Sequence, residues 1–225
     1  MTSVHISASI MCGRLGELDA ELDRLAAGGV DSIHVDVMDG HFVPNLTFGP
    51  DMVSAIRHRT TLDVHAHMMV TNPESYVDSF AAAGADAYLF HIEAARHPIR
   101  LIQQIAQSGM VPGIAVNPTT SLEFLRDVQA PILLLMSVEP GFAGQQWVPA
   151  TAQRLERVRD LVADDVLVGI DGNVSLARVS LASERGARLF VCGTSSLFTG
   201  DHDYDSAVAA VRAAARERSP ASTAS

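Results

Sequence analysis

Short apolar runs alternate with longer amphipathic segments along the whole chain. The short runs are rich in aliphatic and β-branched residues, and they predict strands at Val4–Ser9, Ser32–Val37, Thr61–Met68, Ala87–His91, Val111–Val116, Ile132–Met136, Val166–Ile170 and Leu189–Cys192. The segments between them have helical periodicity, for example Leu15–Ala27, Pro73–Ala83, Ile99–Gln107, Ala150–Val162 and Ala207–Arg216. Strict alternation of this kind favours a parallel sheet with helical crossovers.

The number of strand–helix units indicates the architecture. Eight units in 225 residues suit a closed (β/α)8 TIM barrel better than an open doubly wound sheet. The glycine fingerprint of a dinucleotide-binding fold is missing after the first strand. We therefore expect a single α/β barrel domain over residues 1–218 and a disordered tail at 219–225.

Charge and composition exclude several functions. The formal net charge of −10 disfavours nucleic acid and anionic membranes as partners. All 16 basic residues are arginine, so the chain cannot supply the amine of a Schiff-base aldolase or the lysine of a Walker-type nucleotide site. Cys12 and Cys192 match no zinc or redox spacing and predict reduced thiols in a cytoplasmic protein. Neither a signal peptide nor a membrane span is predicted.

The most informative segment is Ile33–Asn45, IHVDVMDGHFVPN. Active sites of these barrels lie at the carboxyl ends of the strands. Strand alternation points Ile33, Val35 and Val37 towards the helices, and His34, Asp36 and Met38 into the barrel. A histidine and a carboxylate two residues apart on one strand face can reach one metal ion. Taken alone, the two residues are better explained as a buried hydrogen-bonded pair.

The third and seventh strands repeat this chemistry. His65, His67 and Met69 share the inward face of the third strand, and Asp171 closes the seventh. Two imidazoles and two carboxylates at one rim suit a divalent ion such as zinc, iron, manganese or cobalt, and this donor set does not choose among them.

Glycines follow the last three strands and predict a phosphate site. They are Gly141 and Gly144, then Gly172, then Gly193. Each motif alone also suits an ordinary turn, but the loops after strands seven and eight are the usual phosphate site of this fold. Thr194–Phe198 could be the short extra helix whose N–H groups face the phosphate. Met38, Met69 and Met136 end strands on the inward face, as core fillers or as an apolar cap over the reacting carbon.

These segments resemble the ribulose-phosphate 3-epimerase family. The resemblance rests on Ile6–Met11, Ile33–Asn45, His67–Pro73, Met136–Gln145 and Ile170–Val174, in order from about residue 5 to about residue 200. It implies one divalent metal (Zn2+, Fe2+, Mn2+ or Co2+) held by His34, Asp36, His67 and Asp171, with Asp36 and Asp171 as the acid/base pair. The substrate-binding residues that it implies are Ser9, Met38, His67, Met69, Met136, Gly141, Phe142, Ala143, Gly144, Gly172, Asn173, Gly193 and Thr194.

The chain departs from the family pattern at three places. His65 stands where the family usually has aspartate, so we expect either the hydrogen-bond support of the metal ligands or the metal preference to differ. Ala143 and Asn173 stand in turns that are usually glycine. Val191–Phe198 (VCGTSSLF) and the SIMC segment resemble the allulose-6-phosphate 3-epimerase branch more closely, which leaves the length of the sugar open.

The function that these features favour is metal-dependent epimerisation at C3 of a ketose phosphate. D-Ribulose 5-phosphate is the first candidate substrate, with D-xylulose 5-phosphate as product in the pentose phosphate pathway, and D-allulose 6-phosphate is the second. A decarboxylase or aldol-type barrel enzyme would need a catalytic lysine, which is absent. A non-catalytic sugar-phosphate binding protein would not need both carboxylates. We expect a cytoplasmic homo-oligomer that acts on a small sugar phosphate.

Overall fold

Eight parallel strands close into one barrel in chain order, β1 to β8, with β8 pairing back to β1. The computed structural model describes residues 4–200 and 203–216, so the tail predicted at 219–225 lies outside the described residues. The strands are β1 (His5–Ser9), β2 (Ser32–Met38), β3 (Asp63–Met69), β4 (Ala87–His91), β5 (Val111–Val116), β6 (Ile132–Met136), β7 (Leu167–Asp171) and β8 (Leu189–Cys192). The predicted barrel class and the predicted strands are therefore confirmed, with shifts of one or two residues at some ends.

Seven α-helices surround the barrel in the described part of the chain. They are α1 (Leu18–Ala27), α2 (Pro50–Arg59), α3 (Val77–Ala83), α4 (Pro98–Gln107), α5 (Thr151–Val158), α6 (Leu176–Glu184) and α7 (Tyr204–Ala214). The predicted helices that start at Leu15 and Pro73 begin instead with a 3-10 turn, at Leu15–Glu17 and Pro73–Tyr76. The helix predicted from Ala150 to Val162 is shorter at its C-terminal end.

The fifth strand–helix unit, between β5 and β6, contains no α-helix. Between β5 and β6 the described chain forms only the 3-10 turn Glu123–Arg126. This connection begins with Asn117-Pro118 followed by Thr119, Thr120 and Ser121, and a proline with short polar residues favours turns over a continuous helix. The prediction of eight strand–helix units is therefore wrong at this one unit, where a 3-10 turn takes the place of the helix.

Two separate apolar layers hold the barrel. The larger layer lies between strands and helices and contains Ile33, Val35 and Val37, which confirms the predicted outward face of β2. The smaller layer fills the barrel interior; its buried members are Ala87, Leu89, Ala115, Ile132, Leu134, Leu189 and Val191. These seven residues lie on β4, β5, β6 and β8, and none of them lies on β1, β2 or β3. Met38 of β2 and Met69 of β3 form a separate small apolar cluster with Val43.

Candidate active site

Four predicted metal ligands meet inside the carboxyl end of the barrel. One ligand atom from each of His34, Asp36, His67 and Asp171 lies within 4.8 Å of all the others. Register explains the proximity, because Asp36 on β2 pairs with His67 on β3 and His34 precedes Asp36 by two residues on the same face. Asp171 reaches the group from β7, on the other side of the ring.

The distances within this cluster fit a single small cation. Nε2 of His34 lies 3.1 Å from Nδ1 of His67. Nδ1 of His67 lies 3.2 Å from Asp36 Oδ1 and 3.3 Å from Asp171 Oδ2, and His34 Nε2 lies 3.5 Å and 3.7 Å from the same two oxygens. Four atoms that each lie about 2.0–2.1 Å from a tetrahedral ion are about 3.3 Å apart. The donor set therefore suits zinc or another divalent transition metal.

Burial makes the electrostatics of the cluster strong. Burial lowers the pKa of His67, but hydrogen bonds to Asp171 and Asp36 outweigh it and raise the pKa to about 9. Burial raises the pKa of Asp36, but the charge and hydrogen bonds of His34 and His67 outweigh it and hold the pKa far below its ordinary value. Each cluster carboxylate therefore faces an imidazole nitrogen, and metal binding at Nδ1 of His67 would displace the proton from that atom.

The two oxygens of Asp36 have different neighbours. Oδ1 faces the imidazoles, while Oδ2 accepts a hydrogen bond of 2.7 Å from the hydroxyl of Ser9. Ser9, predicted to bind substrate, is thus placed in the pocket with its hydroxyl directed at Asp36. This division leaves one carboxylate oxygen for the cluster and one on the side of Ser9.

One pocket opens above the cluster. Among the residues predicted for the site, all but the two buried imidazoles of His34 and His67 line it. The lining residues predicted one by one are Ser9, Asp36, Met38, Met69, Met136, Gly141, Phe142, Ala143, Gly144, Asp171, Gly172, Asn173, Gly193 and Thr194. The pocket is also lined by Ser195, from the predicted segment Thr194–Phe198, and by residues that were not predicted to bind substrate: Met11, Cys12, Val138, Pro140, Gln145, Val174 and Val191. Met38, Met69 and Met136 are 5%, 2% and 3% exposed, so the predicted cap is apolar and almost closed to water.

The turn after β7 needs an unusual backbone. Gly172 has a φ of 105°, and a Cβ there would lie 2.5 Å from Val138 Cγ2. Asn173 follows with a φ of 48°, and no other described non-glycine residue has positive φ. Asparagine tolerates this conformation better than most residues, which explains how it can stand in a glycine turn.

The side chain of Asn173 links three loops. Its Nδ2 donates to the carbonyl of Gln145 in the loop after β6, at 2.6 Å, and its Oδ1 accepts from Ser195 Oγ in the loop after β8, at 2.8 Å. Arg178 donates to the Asn173 carbonyl. The sequence did not predict this link, because it depends on contacts between residues that are far apart in the chain.

The segment after β8 differs from the prediction. Thr194–Phe198 is a hydrogen-bonded turn and not a helix. The carbonyl of Gly193 accepts from the N–H groups of Ser196, Leu197 and Phe198. One shared acceptor closes a single tight turn and does not propagate the regular pattern of a helix.

His91 and Glu93 are site residues that the sequence analysis missed. His91 ends β4, is fully buried, and its Nε2 lies 2.9 Å from His67 Nε2. Its Nδ1 lies 3.4 Å from Glu93 Oε2. The available signal was a fourth inward histidine, at the end of a third strand, followed two residues later by a carboxylate in the run FHIE.

Comparison with solved structures supports the fold. The chain resembles KGPDC from Streptococcus mutans with a TM-score of 0.70 at 11% identity, covering 95% of this chain and 98% of the other. It resembles orotidine 5'-phosphate decarboxylase from Pyrococcus horikoshii with a TM-score of 0.68 at 12% identity, covering 94% and 99%. At such low identity the likeness concerns the barrel alone. No helix in residues 4–200 or 203–216 is long and apolar enough to cross a membrane.

Comparison of sequences is more specific. The chain is 38% identical over 222 residues to a ribulose-phosphate 3-epimerase from Rhodobacter capsulatus, covering 95% of this chain and 96% of the relative. It is 36% identical over 215 residues to that of Bacillus subtilis, covering 93% and 98%. The model of the ribulose-phosphate 3 epimerase family matches residues 5–198. Together with the barrel and its rim of histidines and aspartates, these matches show that the chain is an isomerase of the ribulose-phosphate 3-epimerase family.

Proposed function

We propose that this enzyme interconverts D-ribulose 5-phosphate and D-xylulose 5-phosphate by moving one proton at C3. The observation that carries the proposal is that two carboxylates, Asp36 and Asp171, reach the same pair of histidines from strands β2 and β7, which are three positions apart around the barrel. Epimerisation beside a ketone removes a proton from one face of the carbon and returns one to the other. Two carboxylates in opposite protonation states accomplish this, one as base and one as acid.

The surrounding residues prepare that transfer. His34, Asp36, His67 and Asp171 would hold one divalent ion, which when bound supplies Lewis-acid stabilisation of the negative charge of an enediolate. Ser9 orients Asp36 through the bond to Oδ2. The methionine side chains exclude water from the carbon that loses its proton.

The glycine loops would bind the phosphate. Because the chain has no lysine and no arginine is among the described residues that line the pocket, backbone N–H groups near Gly172, Gly193 and Thr194 are the proposed donors, as in other backbone anion nests. The glycine-rich loop 141–146 contributes residues 141–145 to the lining of the same pocket, and Asn45 Nδ2 donates a hydrogen bond to its Gly141 carbonyl. We propose this loop as a lid that closes over the substrate.

D-Allulose 6-phosphate is the second candidate substrate. The segments that resemble the allulose-6-phosphate 3-epimerase branch place Cys12, Thr194 and Ser195 in the lining of the same pocket. A hexulose phosphate, which is longer by one carbon, would have to fit between these three residues and the proposed metal ligands.

The deciding experiment measures proton–deuterium exchange at C3 in D2O with a panel of ketose 5- and 6-phosphates and their dephosphorylated forms. The proposal expects exchange and epimer formation to be fastest with D-ribulose 5-phosphate. A higher kcat/KM for D-allulose 6-phosphate would assign the second substrate, and the absence of exchange with every ketose would refute C3 epimerisation.

A further inference from the structure

His67 contacts polar groups through both ring nitrogens. Nδ1 faces the cluster, at 3.2 Å from Asp36 Oδ1 and 3.3 Å from Asp171 Oδ2. Nε2 faces away from the cluster, at 2.9 Å from Nε2 of His91. The atom available to a metal is therefore Nδ1, and a nitrogen that binds a metal carries no proton. In neutral His67 the proton must be on Nε2.

The position of that proton determines the protonation of His91. Two imidazole nitrogens at 2.9 Å share one proton, so when Nε2 of His67 donates, Nε2 of His91 must accept. Neutral His91 then carries its own proton on Nδ1. That buried atom makes no hydrogen bond in the structure, and its nearest polar contact is Oε2 of Glu93 at 3.4 Å, a carboxylate oxygen that accepts and does not donate while it is ionised.

Burial and packing make this arrangement rigid. His67 and His91 are both 0% exposed, so bulk water does not replace either partner. The ring of Phe42 covers His91, with a centroid distance of 4.7 Å, and the rings of His67 and His91 are nearly parallel at 19°. Glu93 is itself held, because its Oε1 accepts the N–H of Asn117 at 2.8 Å.

We propose that His91 and Glu93 are positioning residues that keep the proton of His67 on Nε2 and so keep Nδ1 free to bind a divalent metal. Carboxylate–imidazole support of metal ligands is a general device that fixes ring orientation and raises ligand basicity. Here it would act through two imidazoles in series, from Glu93 through His91 to His67. The proposal rests on the proposed metal site.

The test uses the full-length protein and Co2+ as probe. Competition against a chromophoric chelator gives the Co2+ affinity of the wild type and of His91→Leu, His91→Gln, Glu93→Ala and Leu89→Val. Leu89→Val is the matched control, because Leu89 lies two residues before His91 on the same strand and packs in the apolar interior. Circular dichroism confirms that each variant folds.

We expect His91→Leu to weaken Co2+ binding roughly 10–100-fold and Glu93→Ala to weaken it by less. His91→Gln should recover part of the loss, because a side-chain amide oxygen can accept from His67 Nε2. Leu89→Val should bind Co2+ as the wild type does. Long-range 15N–1H NMR of the Zn2+-loaded protein should show His91 protonated on Nδ1.

Two results would overturn the inference while leaving the metal site intact. One is wild-type Co2+ affinity in both His91→Leu and Glu93→Ala. The other is His91 protonated on Nε2 in the Zn2+-loaded wild type. If His91→Leu does not fold, Glu93→Ala and the NMR spectrum decide alone. Failure of the wild type to bind either ion would refute the metal site itself, and the inference with it.

Discussion

The interior of the barrel has two halves with different chemistry. On β1 to β3, the inward-facing positions before the carboxyl-terminal methionines Met38 and Met69 hold mainly buried polar residues. These polar residues are Ser7, Ser9, Ser32, His34, Asp36, His65 and His67. We call these residues the polar half. The seven residues of the interior apolar layer, from Ala87 to Val191 on β4, β5, β6 and β8, form the apolar half.

The two halves contribute to the site in different ways. The polar half supplies side chains, namely three of the four proposed metal ligands. The apolar half supports the loops after β6, β7 and β8, where the proposed phosphate donors are backbone groups. Glycines inside it allow close packing, since a Cβ on Gly169 would lie 2.9 Å from Leu189 Cβ. Buried polar atoms need specific partners, whereas apolar surface needs only complementary volume.

The largest expected effect concerns the two carboxylates. Asp36→Asn and Asp171→Asn should each reduce epimerisation by more than the roughly 10²–10⁴-fold that one acid/base group contributes, because each change also disturbs the metal. Metal content must be measured for each variant. A metal-loaded variant should still exchange the C3 proton of one epimer with solvent, through the remaining carboxylate, without forming the other epimer.

Near wild-type epimerisation by a metal-loaded Asp171→Asn protein would make that residue a ligand only. Asp171 is the single proposed ligand outside the polar half, so this variant tests whether a residue on β7 takes part in the chemistry. Its side chain is 15% exposed, against 8% for Asp36.

The second prediction removes a ligand from the polar half. His67→Ala should lower metal affinity by more than about 100-fold, beyond the 10–100-fold typical of an outer-shell partner, and should remove most activity while the protein stays folded. Elemental analysis and chelator competition measure the metal. Full activity of wild-type enzyme stripped of all divalent metal would contradict the prediction.

The third prediction tests the loops above the apolar half. Asn173→Gly keeps the positive φ but removes the side chain that joins Gln145 and Ser195. Each hydrogen bond contributes about 0.5–1.5 kcal/mol, so we expect KM for the phosphorylated ketose to rise about 10-fold with a smaller change in kcat. Asn72→Gly, at an exposed loop, is the control. An unchanged KM would show that the loops hold their geometry without the link.

Particular residues show what the sequence could predict. His34, Asp36 and His67 were found because strand alternation fixes the inward face, and Asp171 because it closes a strand. The absence of an α-helix between β5 and β6 was not predicted. Residues 117–131 are long enough for a helix, but their local preferences favour turns, and only a 3-10 turn forms. His65 was noted as unusual, but not that its ring stacks on His5 at 5.4 Å. Contacts such as this one and that of Asn173 depend on tertiary packing.

The fourth prediction concerns stability within the polar half, away from the chemistry. Ser32 is fully buried, donates to Ser7 Oγ at 2.7 Å, and lies 2.9 Å from His5 Nε2. Ser32→Ala leaves both neighbours without this partner, so the free energy of unfolding should fall by about 1–3 kcal/mol. Urea denaturation measures it. Since Ser32 does not line the pocket, kcat/KM should remain at the wild-type value. A large loss of activity would show that this buried hydrogen-bond group contributes to catalysis as well as to stability.

The smallest effect is expected in the apolar half. Leu134 is 0% exposed in the centre of the interior layer and offers no polar group. Leu134→Met conserves volume, and such swaps usually change the free energy of unfolding by less than about 1.5 kcal/mol. The methionine side chain can adapt to the space that Leu189 and Ile132 leave, because it is unbranched. Activity and KM should match the wild type.

The same urea titration compares Leu134→Met directly with Ser32→Ala. If Leu134→Met were the more destabilising of the two, packing shape and not polar pairing would be the stricter constraint inside this barrel, and the distinction between its halves would fail.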